Sequence, residues 1–228
     1  LALLGAFVYS LLVRPSAKLS VSNDTFHSQA EYQAVVNKQL TTLKDRNKIT
    51  FDEASLSSAI EKSFPEVESV DVELPILGEQ PIVHLKIGKP AFFIRSGGKD
   101  YLLSANGVAV GYKSDYPNIG KLVQITDKSG FEVNVGKPIL STDNINFLNT
   151  LLAELARSQV PIKELVLPNS PAEADLYTQD AAYYTKFYMG GDAIIQSGQY
   201  LAARNSFKSQ PAPSQYLDVR VAGKIFYK

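Results

Sequence analysis

Two helical apolar stripes followed at once by two runs of strict alternation confine the first third of this chain to a small α+β unit. Tyr32, Val35, Val36, Leu40 and Leu43 recur at three- and four-residue spacing between Ser28 and Lys44, the stripe of a helix with one buried face. Thr50-Phe51-Asp52-Glu53 reads as a capping box, with Thr50 capping a second helix and Glu53 reaching back to it. That helix buries Leu56, Ala59, Ile60 and Phe64, and Pro65 closes it. Val70, Val72 and Leu74 then alternate with Asp71 and Glu73, and Val83, Leu85 and Ile87 with His84 and Lys86, the period of half-buried strands. Lys18 to Ser22 alternates in the same way. Residues 17–88 therefore read strand, helix, helix, strand, strand, with both helices on one face of a small sheet.

From Lys89 the pattern becomes β-rich. Ala91–Arg95 and Asp100–Ser104 form a hairpin around Gly97-Gly98, and Asn106-Gly107 marks a tight turn into Val108–Tyr112. Lys121–Thr126 and Phe131–Val135 read as further short strands. Thr142–Ser158 carries the clearest helical stripe of the chain, through Ile145, Leu148, Leu151, Leu152 and Leu155. Strands follow at Ile162–Leu167, Asp175–Thr178 and Tyr183–Met189, then a weaker helix at Asp192–Phe207 interrupted by Gly198. Gln215–Lys228 reads as a closing hairpin that turns near Ala222-Gly223. No internal repeat is present.

The first thirteen residues, LALLGAFVYSLLV, carry no charge. As a helix they span about 20 Å, less than the roughly 30 Å of a bilayer core. Apolar on every face, the stretch reads as the outer end of a transmembrane helix that begins upstream. Val13-Arg14-Pro15 lacks the small residues of a signal-peptide cleavage site. A buried core helix is the other reading, though Gly5 and the uniformly apolar surface speak against it. The expected division is a membrane anchor over 1–14, a small domain over 15–88 and a β domain over 89–228.

Composition removes most chemistry. Lys plus Arg and Asp plus Glu each number 23, and no basic run exceeds two residues, so nothing advertises a nucleic-acid partner. Without cysteine there is no thiolate nucleophile and no Cys-based zinc site. Histidine occurs only at His27 and His84; His84 lies on the polar face of an expected strand, and His27 precedes a helix as a capping or loop residue. Ser96-Gly97-Gly98-Lys99 lacks the spacing of a phosphate loop and reads as a turn. Glu66, Glu68, Asp71 and Glu73 are the densest acidic group, and alternation assigns them to solvated strand faces, Glu66 and Glu68 beside Val70. Tyr183, Tyr184 and Tyr188 gather around Phe187, as in a core or a covered sheet. The residues point to a non-enzymatic binding module with neither cofactor nor metal.

Three stretches carry a family resemblance through their order. Asn47–Leu74 looks like the second half of a POTRA domain. Ile87–Gly111 (IGKPAFFIRSGGKDYLLSANGVAVG) resembles the passage from that domain into a β domain, with its basic-Pro strand, Tyr-Leu strand and Asn-Gly turn. Tyr216-Leu217-Asp218-Val219-Arg220, followed by Lys224–Lys228, resembles a closing strand and final hairpin. Together they resemble the FtsQ/DivIB family of bacterial cell-division proteins, by motif over about 65 residues and by architecture over nearly the whole chain. Two positions depart from that pattern: Ser22-Asn23-Asp24 stands where a glycine often follows the first strand, and Gly88-Lys89 where an acidic residue often precedes the junction proline.

The resemblance implies a scaffold of the division septum, a single-pass protein of the cell membrane with a cytoplasmic N-terminus and its bulk outside the cytoplasm. It implies FtsB/DivIC-like and FtsL-like membrane partners and a part in controlling septal cell-wall synthesis. It places the partner interface on the last strands, at Tyr216, Leu217, Asp218, Val219, Arg220, Lys224, Ile225, Phe226 and Tyr227. Alternation turns Leu217, Val219 and Val221 inward and Tyr216, Asp218 and Arg220 to the other face, where Asp218 and Arg220 can also simply pair with each other. A POTRA-bearing component of a secretion or outer-membrane assembly system is the alternative; such proteins carry several copies or a membrane barrel, and one copy without barrel patterning is read here. A cell-wall hydrolase built on the acidic group is a further rival.

Overall fold

A computed structural model describes residues 11–41, 47–76 and 80–228. The chain forms two compact units, with the boundary between Pro90 and Ala91. The first is a small βααββ unit and the second a large mixed sheet with two helices, an α+β arrangement. The stretch Leu1–Ser10 and the stripe residue Leu43 lie outside the described residues.

In the first unit, β1 (Lys18–Val21) is followed by α1 (Gln29–Gln39), α2 (Glu53–Ser63), β2 (Val67–Glu73) and β3 (Ile82–Ile87). The sheet order is β1-β3-β2, with β1 parallel and β2 antiparallel to β3. The helical stripes bury Tyr32, Val36, Leu40, Leu56, Ile60 and Phe64, and the alternating strands bury Val83, Leu85 and Ile87. The capping box sits at Ser28: its hydroxyl accepts from Glu31 N while Glu31 Oε2 accepts from Ser28 N at 2.8 Å. The box expected at Thr50 does not form. Asp52 caps α2 instead, accepting from Ser55 N at 3.0 Å, which frees Glu53 to accept from Val72 N at 3.2 Å on the outer side of β2.

Leu11–Val13 is not helical: Leu12 bridges antiparallel to Asn47, and Lys48 N donates to Leu11 O at 2.9 Å. Pro15 follows closely and biases the chain before it toward extended backbone. Among the described residues no helix is long and apolar enough to cross a membrane.

Glu66 is also placed differently from its expected solvated face. It is 1 % exposed, and its Oε1 lies 2.6 Å from His27 Nδ1 and accepts from the Tyr32 hydroxyl at 2.9 Å. A bulge between Val67 and Ser69 shifts the register of β2. Simple alternation therefore cannot be extended backward from Val70. His27 packs edge-on against Phe64 and Tyr32, so it is part of this buried cluster. His84, in contrast, stays on the polar face, 3.4 Å from Glu73.

The second unit comprises β4 (Pro90–Ser96), β5 (Lys99–Ser104), β6 (Ala109–Tyr112), β7 (Gln124–Asp127), α3 (Thr142–Arg157), β8 (Ile162–Leu167), β9 (Glu173–Thr178), β10 (Tyr184–Tyr188), α4 (Ala193–Ser206), β11 (Tyr216–Asp218) and β12 (Phe226–Tyr227). Nine strands form one sheet in the order β12-β11-β10-β9-β8-β7-β4-β5-β6. Its core face packs on the helices: Ile145, Leu148, Leu151 and Leu155 of α3 and Tyr200 and Ala203 of α4 meet Ile94, Ile125, Leu165, Leu176, Phe187 and Leu217. Phe131–Val135 forms no strand. The segment after it instead runs along β6, where Ala109 N donates to Lys137 O at 3.1 Å and Gly136 N to Ala109 O at 2.8 Å.

Gly107 allows that segment to approach. Its φ is +76°, and an added Cβ would lie 1.9 Å from Leu140 O. Gly107→Ala is expected to lower stability by at least ~2 kcal/mol through left-handed strain and the backbone clash. Urea denaturation checks this, and a change within about 0.5 kcal/mol contradicts the close approach.

Candidate partner-binding edge

Strands β9 to β12 build the candidate site. Every second residue of these strands enters the helix-covered core: Ala174, Leu176, Phe187, Leu217 and Val219 are buried there. The alternate residues stand on the opposite face and fall into rows set by register. Tyr177, Tyr184 and Tyr216 are cross-strand neighbours, and so are Asp175, Lys186, Asp218 and Phe226. The rings of Tyr177 and Tyr184 stack at 5.3 Å, and Tyr184 and Tyr216 lie 6.2 Å apart. Lys186 Nζ sits over the Tyr184 and Tyr216 rings, 5.7 and 5.3 Å from their centroids.

The charges of this face are tied together. Arg220 grips Asp218 with two parallel bonds, Nε to Oδ1 at 2.9 Å and Nη2 to Oδ2 at 2.6 Å. Its Nη1 reaches across to Glu173 Oε2 at 2.5 Å, and Lys186 donates to Glu173 Oε1 at 3.2 Å. Such planar two-point pairing is geometry that only a guanidinium supplies. Burial opposes the Asp218 carboxylate, yet the hydrogen bonds from Arg220 prevail and hold its carboxyl below the usual range. Asp175 fares differently. Burial first, and the neighbouring Glu173 carboxylate second, push it up to about 6 against the pull of Lys186 and Arg220. Its Oδ1 has no hydrogen-bond partner among the described residues.

The hairpin predicted at Gln215–Lys228 forms, with Leu217 opposite Tyr227 and Asp218 opposite Phe226. Gly223 turns at φ +73°, and Gln199 of α4 holds the turn by donating to Val221 O and Lys224 O. Val221, expected to continue the inward series, is 49 % exposed because the chain has already begun to turn there. Tyr216, Asp218 and Arg220 lie on the open face as expected. Tyr227 packs its ring against Phe207 on the helix side. Ile225, Phe226 and Tyr227 are all exposed, at 37, 51 and 63 %.

The backbone of β12 settles which groups face outward. Lys228 N donates to Tyr216 O at 3.1 Å and Tyr216 N to Lys228 O at 3.3 Å, so these two form a hydrogen-bonded pair. Antiparallel alternation then turns the N–H and C=O of Tyr227, and of Ile225 before it, away from β11. Other sheet edges carry partners. The β6 edge has the 136–139 segment, β1 has Gln29 and Gln33 side chains on Leu19 O and Ala17 O, and β2 has Glu53. Among the described residues, β12 has no such cover.

Residue-by-residue reading misses Glu173, Asp175 and Lys186, although each lies in an alternating strand. Their convergence depends on β10 pairing parallel with β11, a long-range fact that no local pattern encodes. It also misses Lys228, which completes a Lys-x-Phe-x-Lys series with Lys224 and Phe226. Among the described residues no group of acidic or histidine side chains could hold a metal ion.

The folded Asp175 carboxyl keeps its proton to about 6 against a reference of 3.8. The native state therefore binds more protons between these values, and stability falls as pH rises through that window. Asp175→Asn is expected to stabilise the fold by roughly 2 kcal/mol at about pH 8 and to change it little at about pH 4. Thermal unfolding at both pH values checks this, and equal effects at the two would contradict the upward shift of the buried Asp175 carboxyl. No family model matches this chain and no curated protein matches it in sequence, so its functional reading stands on its own residues and geometry.

Proposed function

We propose that this chain is a non-enzymatic scaffold of the bacterial division machinery, of the FtsQ/DivIB kind. In this reading the first unit is a POTRA domain and the second a β domain displayed outside the cytoplasm. The apolar N-terminal stretch contributes to a single-pass anchor. FtsB/DivIC-like and FtsL-like partners dock on the second unit, and the complex helps control septal cell-wall synthesis.

The observation that carries the proposal is the open edge at β12. A nine-stranded sheet ends in a strand whose outward N–H and C=O groups, at Ile225 and Tyr227, have no partner among the described residues. Exposed apolar and aromatic side chains border them. An uncovered edge is a template for strand addition: backbone hydrogen bonds give affinity and flanking side chains give selectivity. The βααββ order with β1-β3-β2 pairing supports the POTRA assignment. The Arg220–Asp218–Glu173 network supports the edge by bracing β11 against β9.

Tyr227→Pro tests the proposal with little disturbance to the hairpin, since it removes an outward N–H and leaves the Tyr216–Lys228 pair intact. Binding of FtsB/DivIC- and FtsL-like partners is expected to fall at least about tenfold, the equivalent of one or two lost backbone hydrogen bonds. Truncation after Arg220 is expected to abolish it. Both variants are checked by circular dichroism for a retained fold. Undiminished binding by folded variants would remove β12 as the docking edge.

A further inference from the structure

We propose that Asp175, Glu173 and Lys186 form a proton-controlled switch in which the lysine exchanges one carboxylate partner for the other. The device lies within the second unit and needs no bound partner.

Glu173 and Asp175 are two residues apart on β9 and so share the open face of the sheet. Both are buried, at 5 and 6 % exposure. Register puts Lys186 of β10 directly opposite Asp175, with Asp218 of β11 beyond it. The ammonium nevertheless serves the diagonal neighbour: Lys186 Nζ donates to Glu173 Oε1 at 3.2 Å. Arg220 joins Glu173 to Asp218. Three carboxyls thus share two cations, and Asp175 is the one left without an ion pair among the described residues. The other strand beside it brings no cation to this row: β8 presents Val166 opposite Asp175 and Glu164 opposite Tyr177. From β10 come Tyr184 and Tyr188 on either side of Lys186.

While Asp175 holds its proton, the arrangement is satisfied. Burial first, and the charge of Glu173 second, push its carboxyl up to about 6, and hydrogen bonding with Glu173 favours the same form. Lys186 stays charged on both sides of that value. Burial opposes its ammonium, but the bond to Glu173 and the surrounding negative charge prevail and hold it above the usual lysine range.

As pH rises through about 6, Asp175 gives its proton to solvent and becomes a buried carboxylate whose Oδ1 has no partner among the described residues. Such a group is costly unless a cation reaches it. Glu173 can release Lys186, because Arg220 Nη1 and Ser170 Oγ still hold its Oε2 at 2.5 and 3.1 Å. Directly opposite side chains lie about 5 Å apart at Cβ, so the flexible lysine stem reaches Asp175 by rotation alone. Below the transition Lys186 helps anchor Glu173; above it that task passes to Arg220, and the tie between β9 and β10 moves one row along the strands.

The test follows the Asp175 carboxyl carbon and the Lys186 Nζ by NMR in the full 228-residue chain, from about pH 5 to about pH 8. Both signals are expected to shift with one shared midpoint near 6, while circular dichroism stays constant. Asp175→Asn is expected to remove the Lys186 shift, and Lys186→Met to raise the Asp175 midpoint by about one unit. An Asp175 titration that leaves Lys186 silent would overturn the exchange. So would a Lys186 shift that survives in Asp175→Asn, or an Asp175 carboxyl that does not titrate in this range.

Discussion

An open β-sheet cannot satisfy the backbone of its outermost strands by itself, and the second unit of this protein is organised around that deficit. One edge is closed from within: Asn106-Gly107 turns the chain so tightly that the 136–139 segment lies against β6 and pairs with Ala109. In the first unit the same problem is met by side chains, with Gln29 and Gln33 on β1 and Glu53 on β2. At β12 a two-residue strand ends the sheet, with its outward groups uncovered among the described residues. Shortness and flanking lysines are common ways of discouraging indiscriminate edge pairing.

The edge is useful only if the strand beneath it is held. β11 contributes three residues to the sheet, and the core side chains of Leu217 and of Val219 just beyond it are fully buried. On the opposite face Arg220 joins Asp218 to Glu173 two strands away. Such a network contributes more to position than to net stability, because removing charges from water offsets much of their attraction. Asp175 beside it, buried and with its Oδ1 lacking a partner among the described residues, is a destabilising element built into the same row.

How far the sequence reveals this arrangement depends on whether each feature is local. The stripe of α3, the alternation of β3 and the Gly97-Gly98 and Gly223 turns are local patterns, and the structure places them where the spacing does. The closing hairpin is legible for the same reason, including the inward Leu217 and Val219. Failures occur where a distant residue overrides the local pattern. Asp52 takes the cap from Thr50, and Glu53 accepts from Val72 N on β2 instead of reaching back to the cap. A bulge at Glu68 uncouples Glu66 from the alternation, and His27 and Tyr32 draw it into the core. Phe131–Val135 alternates like a strand, but the backbone hydrogen bonds of this region are made just beyond it, on β6. The charge network escapes notice because it joins β9, β10 and β11 through a parallel pairing that has no short-range signature.

Residue-resolved amide hydrogen exchange at Ile225 and Tyr227, with Phe226 and Lys228 as internal controls, in the free chain and with an FtsB/DivIC-like partner, measures most directly whether β12 is an open docking edge. An open β12 edge predicts fast exchange at the two outward amides of the free protein, slower exchange at the inward pair, and marked protection of Tyr227 once partner is added. Protection of Tyr227 in the free chain, or exchange unchanged by a partner that demonstrably binds, would contradict an open edge that captures a strand.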